Sequence, residues 1–274
     1  MEEASNSLYL DLLKRCLTNY IYGDAEYWPI IKPRGWLTRR IVNLLDSMNI
    51  KLVYYKIFDE SLRIEGRNWP PPPFAHTMIG LHRLDNIQAC IESILHDDVP
   101  GDLIEAGVWR GGAIIFMRAI LRSYKVEDRI VWAADSFSGL PRPNPKEYPS
   151  DKGVTLYQAS ELAVSVDEVK RNIDRYGLLD DQVQFLVGWF SNTLATAPIE
   201  KLALIRIDAD LYESTMNALT NLYPKLSMGG YVIIDDYGAL ESCRQAVDDF
   251  REFRGIKVPL KWVDYSGVYW RRSE

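Results

Sequence analysis

Apolar runs that alternate with amphipathic stretches make up most of this chain. Strands are predicted where the apolar residues are continuous, at Asp102–Val108, Arg129–Phe137, Val183–Gly188, Leu202–Ile207 and Gly229–Ile234. Helices are predicted where apolar residues recur at helical spacing, at Leu84–Leu95, Ala113–Arg122, Val166–Tyr176, Ser214–Leu226 and Ser242–Phe253. Strands that alternate with helices build a parallel sheet covered on both faces. The pattern therefore predicts an α/β fold.

The C-terminal end of the chain departs from this alternation. Two strand-like segments, Leu260–Tyr265 and Val268–Arg271, are joined by Ser266-Gly267. Such a short glycine-containing connection is a hairpin signal. We therefore expect a mostly parallel sheet with one antiparallel strand near the C-terminus.

The N-terminal part has a different composition from the rest. Helices are predicted at Leu8–Thr18 and Trp36–Met48, and a stiff proline run, Trp69–Phe74, follows them. We expect residues 1–75 to form a helical cap or oligomerisation arm and residues 76–274 to form the main domain. The apolar, aromatic-rich arm makes a homodimer or a larger homo-oligomer the expected assembly.

A long segment without periodicity interrupts the main domain at about residues 138–165. Its first part, Leu140–Pro145, is rich in proline. Long irregular loops at the carboxyl edge of an α/β sheet commonly serve ligand binding. We interpret this insertion as an active-site lid.

Composition excludes several classes of function. The net charge of −6 argues against a general nucleic-acid binder. The sequence contains no run of about 18 apolar residues, so it predicts no membrane span. The acidic start Met1-Glu2-Glu3 lacks a signal-peptide pattern. Cytoplasmic location is the default expectation. The chain's 3 cysteines fit no metal or redox spacing.

Clustered aspartates follow two of the predicted strands. Asp208-Ala209-Asp210 follows one strand, and Asp235-Asp236 follows the next strand along the chain. A single helical crossover joins them, so the strands are parallel, and neighbouring strands lie about 4.8 Å apart. Several carboxylates then crowd one place, and a hard divalent cation would offset their repulsion.

A glycine turn and an acidic strand end indicate a nucleoside-containing cofactor. Glu105–Gly112 leads from the first strand of the main domain into a helix, and its glycines let a ligand approach the backbone. Asp135 ends the second strand, where it could accept hydrogen bonds from ribose hydroxyls. NAD and S-adenosylmethionine both fit these features. The aspartate clusters favour S-adenosylmethionine, because methyl transfer to a hydroxyl can use a cation whereas hydride transfer does not need one.

The residues that carry chemistry also resemble a known family, the macrocin O-methyltransferases of antibiotic pathways, which includes the mycinamicin and novobiocin tailoring enzymes. The resemblance covers nearly the whole chain. It is carried by Leu8–Lys14, Thr77–Gly80, Glu105–Gly112, Asp135–Pro141, Gly188–Leu194, Arg206–Thr215, Gly229–Tyr237 and Gly267–Trp270. Together with the pattern above, it implies a class I methyltransferase, Rossmann-like sheet.

The resemblance also implies ligands and roles. It implies S-adenosylmethionine as methyl donor and a magnesium ion held by Asp208, Asp235 and Asp236. Residues expected at the donor are Thr77, Met78, Ile79, Glu105, Gly107, Val108, Trp109, Arg110, Asp135, Ser136, Phe137, Gly188, Trp189, Phe190 and Asp208.

The expected reaction is methylation of a sugar hydroxyl on a glycosylated natural product. Two neighbouring hydroxyls of a vicinal diol would bind the metal. Asp208 is the first candidate, and Asp210 the second, for the base that accepts the hydroxyl proton. A catechol-type methyltransferase with an aromatic diol acceptor is the main alternative. An NAD-dependent oxidoreductase and a non-catalytic assembly partner are the other two.

Overall fold

The N-terminal part of the molecule contains both helices and a small sheet. The computed structural model describes residues 2–21, 25–29, 35–57, 60–66 and 72–273. The first elements are α1 (Glu2–Leu17), β1 (Ala25–Pro29), α2 (Trp36–Ser47), β2 (Val53–Ile57) and α3 (Ser61–Ile64). Strands β1 and β2 form a two-stranded antiparallel sheet that the sequence pattern did not predict. Both are short and rich in aromatic and β-branched residues, which favour strands, but the helix α2 separates them along the chain.

The main domain contains the predicted alternation of strands and helices. Its strands are β3 (Asp102–Ala106), β4 (Val131–Asp135), β5 (Val183–Val187), β6 (Leu202–Ile207), β7 (Leu226–Ile234), β8 (Lys261–Trp262) and β9 (Val268–Arg271). Its helices are α4 (Leu81–His96), α5 (Gly112–Ser123), α6 (Val166–Arg175), α7 (Phe190–Thr193), α8 (Tyr212–Leu222) and α9 (Glu241–Arg254). Among the described residues, no helix is long and apolar enough to span a membrane.

The large sheet has seven strands in the order β5-β4-β3-β6-β7-β9-β8. The first five are parallel, and β9 is antiparallel to both of its neighbours. The hairpin between β8 and β9 closes with a bond from the Val263 N–H to the Gly267 carbonyl oxygen, at 2.8 Å. The fold predicted from the sequence, including the single reversed strand, is confirmed.

Two boundaries differ from the predicted ones. The helix predicted to reach Leu226 ends at Leu222 and continues as one 3-10 turn, after which β7 begins at Leu226. Pro224 lies in that turn, where its ring and its missing N–H prevent the α-helix from continuing. The first strand of the C-terminal hairpin is shorter than the predicted Leu260–Tyr265, because β8 covers only Lys261–Trp262.

The strand order creates a crevice between β3 and β6. The chain extends from β3 to β4 and β5 on one side of the sheet, and then returns to β6 and β7 on the other. Ligands in open α/β sheets bind at such a switch point, outside the carboxyl ends of the strands. The turns after β3 and β6 therefore bound the expected site.

Packing of α1 joins the start of the chain to the main domain. Its apolar residues Leu10, Leu13 and Leu17 are buried in the same core as α4 and α5. Lys14 of α1 also pairs with Asp85 of α4, with 2.5 Å between Nζ and Oδ1. Of the proline run, residues 69–71 lie outside the described part of the chain. The boundary at residue 75 stays a prediction.

Candidate active site

The crevice between β3 and β6 is tightest at a glycine. Gly107, directly after β3, has φ of +96°, and a Cβ built on it would lie 1.8 Å from the carbonyl oxygen of Asp208. Only glycine accommodates both this conformation and this approach. The glycine turn thus brings the end of β3 against the start of the aspartate cluster.

A cavity of about 420 Å³ opens beside this contact. Eight of the residues predicted to bind the donor line it: Met78, Gly107, Trp109, Asp135, Ser136, Trp189, Phe190 and Asp208. Asp210 lines it as well. The volume falls in the range typical of small-molecule sites. The structure therefore brings the glycine turn, the end of β4, the turn after β5 and the aspartate cluster around one space.

Asp135 fixes the shape of the donor side of this cavity. Its Oδ2 accepts the Val108 N–H and its Oδ1 accepts the Phe137 N–H, both at 2.7 Å. Burial raises the pKa of Asp135, and these N–H groups act against that rise. The carboxylate thus ties the turn after β3 to the turn after β4, and it lines the cavity at the same time.

Seven residues predicted at the donor do not line the cavity, and two of them have clear contacts elsewhere. Arg110 donates from Nη1 to the carbonyl oxygens of Pro72, Pro73 and Ala75, at 2.9 to 3.0 Å, which attaches the end of the proline run to the main domain. Glu105 is buried and pairs with Arg206. The others are Thr77, Ile79, Val108, Phe137 and Gly188.

The irregular segment predicted as a lid does lie over the cavity. Six of its residues line the wall: Gly139, Leu140, Pro141, Arg142, Asn144 and Leu162. It contains three 3-10 turns, at Pro149–Asp151, Leu156–Gln158 and Ser160–Leu162. The indole N–H of Trp109 donates to the Glu161 carbonyl oxygen at 2.9 Å. Movement of this lid stays a prediction.

The two aspartate clusters meet as the sequence predicted. Strands β6 and β7 are parallel neighbours, with Ile207 opposite Ile234. Carboxylate oxygens of Asp208, Asp235 and Asp236 lie within 4.8 Å of one another. The side chains of Asp235 and Asp236 are buried, whereas that of Asp208 is 26% exposed and faces the cavity.

Two buried arginines that the sequence analysis missed stand in this cluster. Arg206 of β6 donates to Glu105, to Asp208 at 3.0 Å and to Asp235 at 2.6 Å. Arg83 of α4 donates to Asp235 at 2.5 Å. A sequence signal for Arg206 does exist, because it is the single charge within an apolar strand, and buried arginines are almost always paired.

These contacts divide the acids into two groups. Burial opposes ionisation of Asp235, but the charges of Arg206 and Arg83 outweigh it and hold its pKa below the usual value. For Asp236, burial and then the charges of Asp210 and Asp208 raise the pKa well above the usual value. Burial, followed by neighbouring carboxylates, also raises the pKa of Asp208 to about 6 and that of Asp210 to about 8. The acids with a raised pKa are those whose negative charge a bound cation would compensate.

A divalent cation fits this donor set. The Oδ2 atom of Asp236 is buried and has no hydrogen-bond partner among the described residues, and leaving such an acceptor unsatisfied costs free energy. A carboxylate oxygen of Asp236 lies within 4.8 Å of oxygens from Asp208 and Asp235, and carboxylates are the groups that hard cations bind.

The sheet order, the glycine turn at the switch point and the acidic edge beside the cavity define a class I methyltransferase. A family model for macrocin-O-methyltransferase (TylF) matches residues 6–272. The chain belongs to the macrocin O-methyltransferase family, and it is an O-methyltransferase. This assignment removes the oxidoreductase alternative.

Relatives of similar length support the assignment. The chain is 49% identical over 274 residues to an 8-demethyl-8-(2,3-dimethoxy-alpha-L-rhamnosyl)-tetracenomycin-C 4'-O-methyltransferase of Streptomyces olivaceus, covering 100% of this chain and 95% of the relative. It is 48% identical over 269 residues to mycinamicin III 3''-O-methyltransferase of Micromonospora griseorubida, covering 97% and 96%. The solved structure of the O-methyltransferase NovP superposes with a TM-score of 0.84 at 47% identity, covering 98% of this chain and 100% of that one.

Proposed function

We propose that this enzyme is an S-adenosylmethionine- and Mg²⁺-dependent O-methyltransferase that methylates a sugar hydroxyl of a glycosylated natural product. The observation that carries the proposal is the meeting of Asp208, Asp235 and Asp236 beside the cavity at the switch point. The tetracenomycin relative is named for a rhamnosylated acceptor, which supports the sugar class.

The donor would occupy the side of the cavity formed by the ends of β3, β4 and β5. Gly107 leaves room for it against the backbone, Asp135 and Ser136 offer polar groups, and Trp189 and Phe190 offer aromatic surface. Such a wall suits a nucleoside, whose base is flat and apolar and whose ribose is polar. The methyltransferase fold itself implies S-adenosylmethionine as the donor.

Asp208, Asp235 and Asp236 would hold the metal ion. When bound, the ion supplies positive charge that lowers the pKa of an acceptor hydroxyl and orients it. Asp208 faces the cavity with 26% of its side chain exposed, so it can take the hydroxyl proton. Asp210 also lines the cavity, and its pKa of about 8 suits proton acceptance near neutral pH. Positioning and electrostatics would supply most of the acceleration.

The proposal is tested by following methyl transfer from S-adenosylmethionine with mass spectrometry. The acceptors are mycinamicin III, the demethylated rhamnosyl-tetracenomycin and a simple catechol, each assayed with MgCl₂ or with EDTA. We expect methylation of a glycosylated acceptor that EDTA abolishes. Transfer to the catechol alone would favour an aromatic diol acceptor, and turnover unchanged by EDTA would contradict the metal role.

The same assay distinguishes the base from other acids. Asp208→Asn should remove methyl transfer because it loses both a metal ligand and a proton acceptor. Asp180→Asn is the matched control, since Asp180 pairs with Arg118 and does not line the cavity. Equal turnover in the two variants would exclude Asp208 from the reaction.

We also propose that the N-terminal arm joins copies of this chain. Leu37, Ile41 and Leu44 recur along one face of α2, Met48 follows at its C-terminal end, and all four are exposed in the single chain. Monomeric proteins rarely leave such a face uncovered. Light scattering after size-exclusion chromatography should give a homodimer or larger assembly, and Leu44→Glu should shift it towards the monomer.

A further inference from the structure

Two buried arginines hold one aspartate of the proposed metal centre from opposite sides. Arg83 Nη1 lies 2.5 Å from Asp235 Oδ2, and Arg206 Nη2 lies 2.6 Å from Asp235 Oδ1. The two arginines and the aspartate are each no more than 4% exposed at the side chain. Both carboxylate oxygens of Asp235 therefore have a fixed direction before any ion arrives.

We propose that Arg83 and Arg206 are positioning residues of the metal centre, which orient Asp235 and Asp208 so that the carboxylate lone pairs that the guanidinium groups leave free can bind the ion. This inference rests on the proposed metal site. Arg206 Nη2 also donates to Asp208 Oδ2 at 3.0 Å, which leaves Asp208 Oδ1 without an arginine contact. The Oδ2 atom of Asp236, which has no hydrogen-bond partner within the described ranges, is a second oxygen open to an ion.

Orientation, rather than neutralisation, is what these arginines accomplish. Six carboxylates take part in the cluster and its contacts: Glu105, Asp208, Asp210, Asp235, Asp236 and Asp264. Two guanidinium groups carry only two positive charges, too few to balance six carboxylates in their charged form. Their N–H groups instead form directional bonds to particular oxygens, which the planar guanidinium allows.

Arg83 also links the proposed metal centre to the end of the sheet. Its Nε donates to Asp264 Oδ2 at 2.6 Å, in the turn between β8 and β9. Asp264 Oδ1 in turn accepts the N–H groups of Ser266 and Gly267, at 2.9 and 2.7 Å. The Ser266 hydroxyl donates to the Asp235 carbonyl oxygen at 2.7 Å. The hairpin therefore fixes Asp235 through both its main chain and its side chain.

The same arginine lies close in sequence to the donor site. It occupies the first turn of α4, five residues after Met78, which lines the cavity. Arg83 thus connects the helix that directly follows the Met78 segment to the aspartate that would hold the ion. A second positive charge beside Arg206 that made no directed hydrogen bonds would only repel the cation and would not orient its ligands.

The test measures Mg²⁺ binding by the full chain, independently of turnover. Wild type, Arg83→Lys and Arg83→Gln are titrated with MgCl₂ in a calorimeter, and thermal unfolding is followed in EDTA. Groups that orient metal ligands typically account for about 10- to 100-fold of the affinity, so we expect both variants to bind Mg²⁺ more weakly by about that factor. Lysine keeps the charge but cannot reach two carboxylates with a planar fork.

A matched control separates positioning from general stability. Arg118 is also buried, and it binds Asp180 through Nε at 2.9 Å and Nη2 at 2.6 Å. Arg118→Gln should lower the unfolding temperature but leave Mg²⁺ affinity at the wild-type value. If both Arg83 variants behave like this control, the positioning role is overturned.

Charge repulsion alone predicts the opposite sign. If Arg83 only repelled the ion, Arg83→Gln would bind Mg²⁺ more tightly, and that result would overturn the proposal. Wild-type affinity in Arg83→Lys with loss only in Arg83→Gln would show that a positive charge beside Asp235 is sufficient without directed hydrogen bonds, and that result would overturn the proposal too. A wild-type protein that bound no Mg²⁺ would instead overturn the metal site itself.

A milder variant covers the case in which Arg83→Gln does not fold. Asp264→Asn can still accept the N–H groups of Ser266 and Gly267, but it removes the negative charge that anchors Arg83 Nε. We expect a smaller weakening of Mg²⁺ binding in the same direction. An unchanged affinity in a folded Asp264→Asn protein would count against the proposal.

Discussion

The two sides of the crevice are built by different physical means. On the donor side, backbone N–H groups hold the carboxylate of Asp135, and a glycine provides the space. On the acidic side, the side chains of Arg83 and Arg206 hold Asp235, while a buried oxygen of Asp236 finds no partner in the part of the chain that the structure describes. The donor side should therefore respond to changes of shape, and the acidic side to changes of charge, pH and metal.

The largest effect is expected from removing the unpaired charge. Asp236→Asn should lower methyl transfer by about 100-fold or more, because it weakens the hold on a catalytic ion. In EDTA the same variant should unfold at a higher temperature than wild type, since burial and neighbouring carboxylates disfavour the Asp236 charge, as its raised pKa indicates. Initial rates with MgCl₂ and thermal melts with EDTA measure the two effects.

A substitution that lowers activity but raises stability in EDTA is the expected mark of the acidic side. Asp180→Asn is again the control, since it breaks a salt bridge outside the cavity and should cost some stability without loss of activity. If Asp236→Asn were both active and less stable than wild type in EDTA, the acidic side would resemble an ordinary salt-bridge network.

A shape change should act on the donor side without regard to metal. Gly107→Ala places a methyl group 1.8 Å from the Asp208 carbonyl oxygen and forces alanine to a φ of +96°. Strain and overpacking together should cost about 3 kcal/mol of unfolding free energy. Chemical denaturation measures the loss, which should be the same in MgCl₂ and in EDTA. Gly153→Ala, which has a φ of +88° but no neighbour within 4 Å, isolates the strain from the clash.

The pH dependence of the metal-free protein should come mainly from the acidic side. Asp210 has a pKa raised from 3.8 to about 8 by burial and then by Asp208 and Asp235. A carboxyl group with a raised pKa in the folded state stabilises the fold at low pH, and this stability is lost as the pH rises towards the folded pKa. In EDTA, the free energy of unfolding should therefore fall between pH 5 and pH 8, by about 1 kcal/mol per pH unit.

Saturating Mg²⁺ should flatten that slope, because the ion compensates the carboxylates in their charged form. The lowered pKa of Asp235 gives the opposite slope, but only in the acid range below its usual value. Denaturant titrations at several pH values, with and without MgCl₂, measure both trends. A metal-free stability that increased from pH 5 to pH 8 would contradict this account of the cluster.

The meeting of the aspartates could be predicted from the sequence, because it depends only on which strands are neighbours and parallel. Parallel neighbours end at one edge, so Asp208 and Asp235 were expected to meet, and they do. The partners of these acids were not predictable in the same way. Arg83 lies 152 positions from Asp235, and Glu105 becomes the register partner of Arg206 only once β3 and β6 are known to be neighbours. Glu105 was therefore assigned to the donor, although its side chain serves an opposite-charge pair across the sheet.

The smallest effect on stability is expected at Asp151, a buried acid that backbone N–H groups hold in the same way as they hold Asp135 on the donor side. Asp151 of the lid is fully buried, and its Oδ1 and Oδ2 accept the N–H groups of Tyr212 and Glu213 at 2.7 and 3.4 Å. It thereby caps the N-terminus of α8, directly after the aspartate turn. Asp151→Ala should cost about 1 kcal/mol, the usual value of such a cap, and should speed proteolysis within the lid.

Asp151→Asn keeps an oxygen that can accept the Tyr212 N–H, so it should retain most of the stability lost in Asp151→Ala. Among the described residues, no arginine contacts this carboxylate. The stability difference between each variant and wild type should therefore be the same in EDTA and in MgCl₂. If Mg²⁺ reversed the loss of stability, the lid and the metal centre would be coupled. The two sides of the crevice would then not be independent at α8. A loss independent of Mg²⁺ would extend the donor-side principle, in which backbone N–H groups hold a buried acid, to the lid.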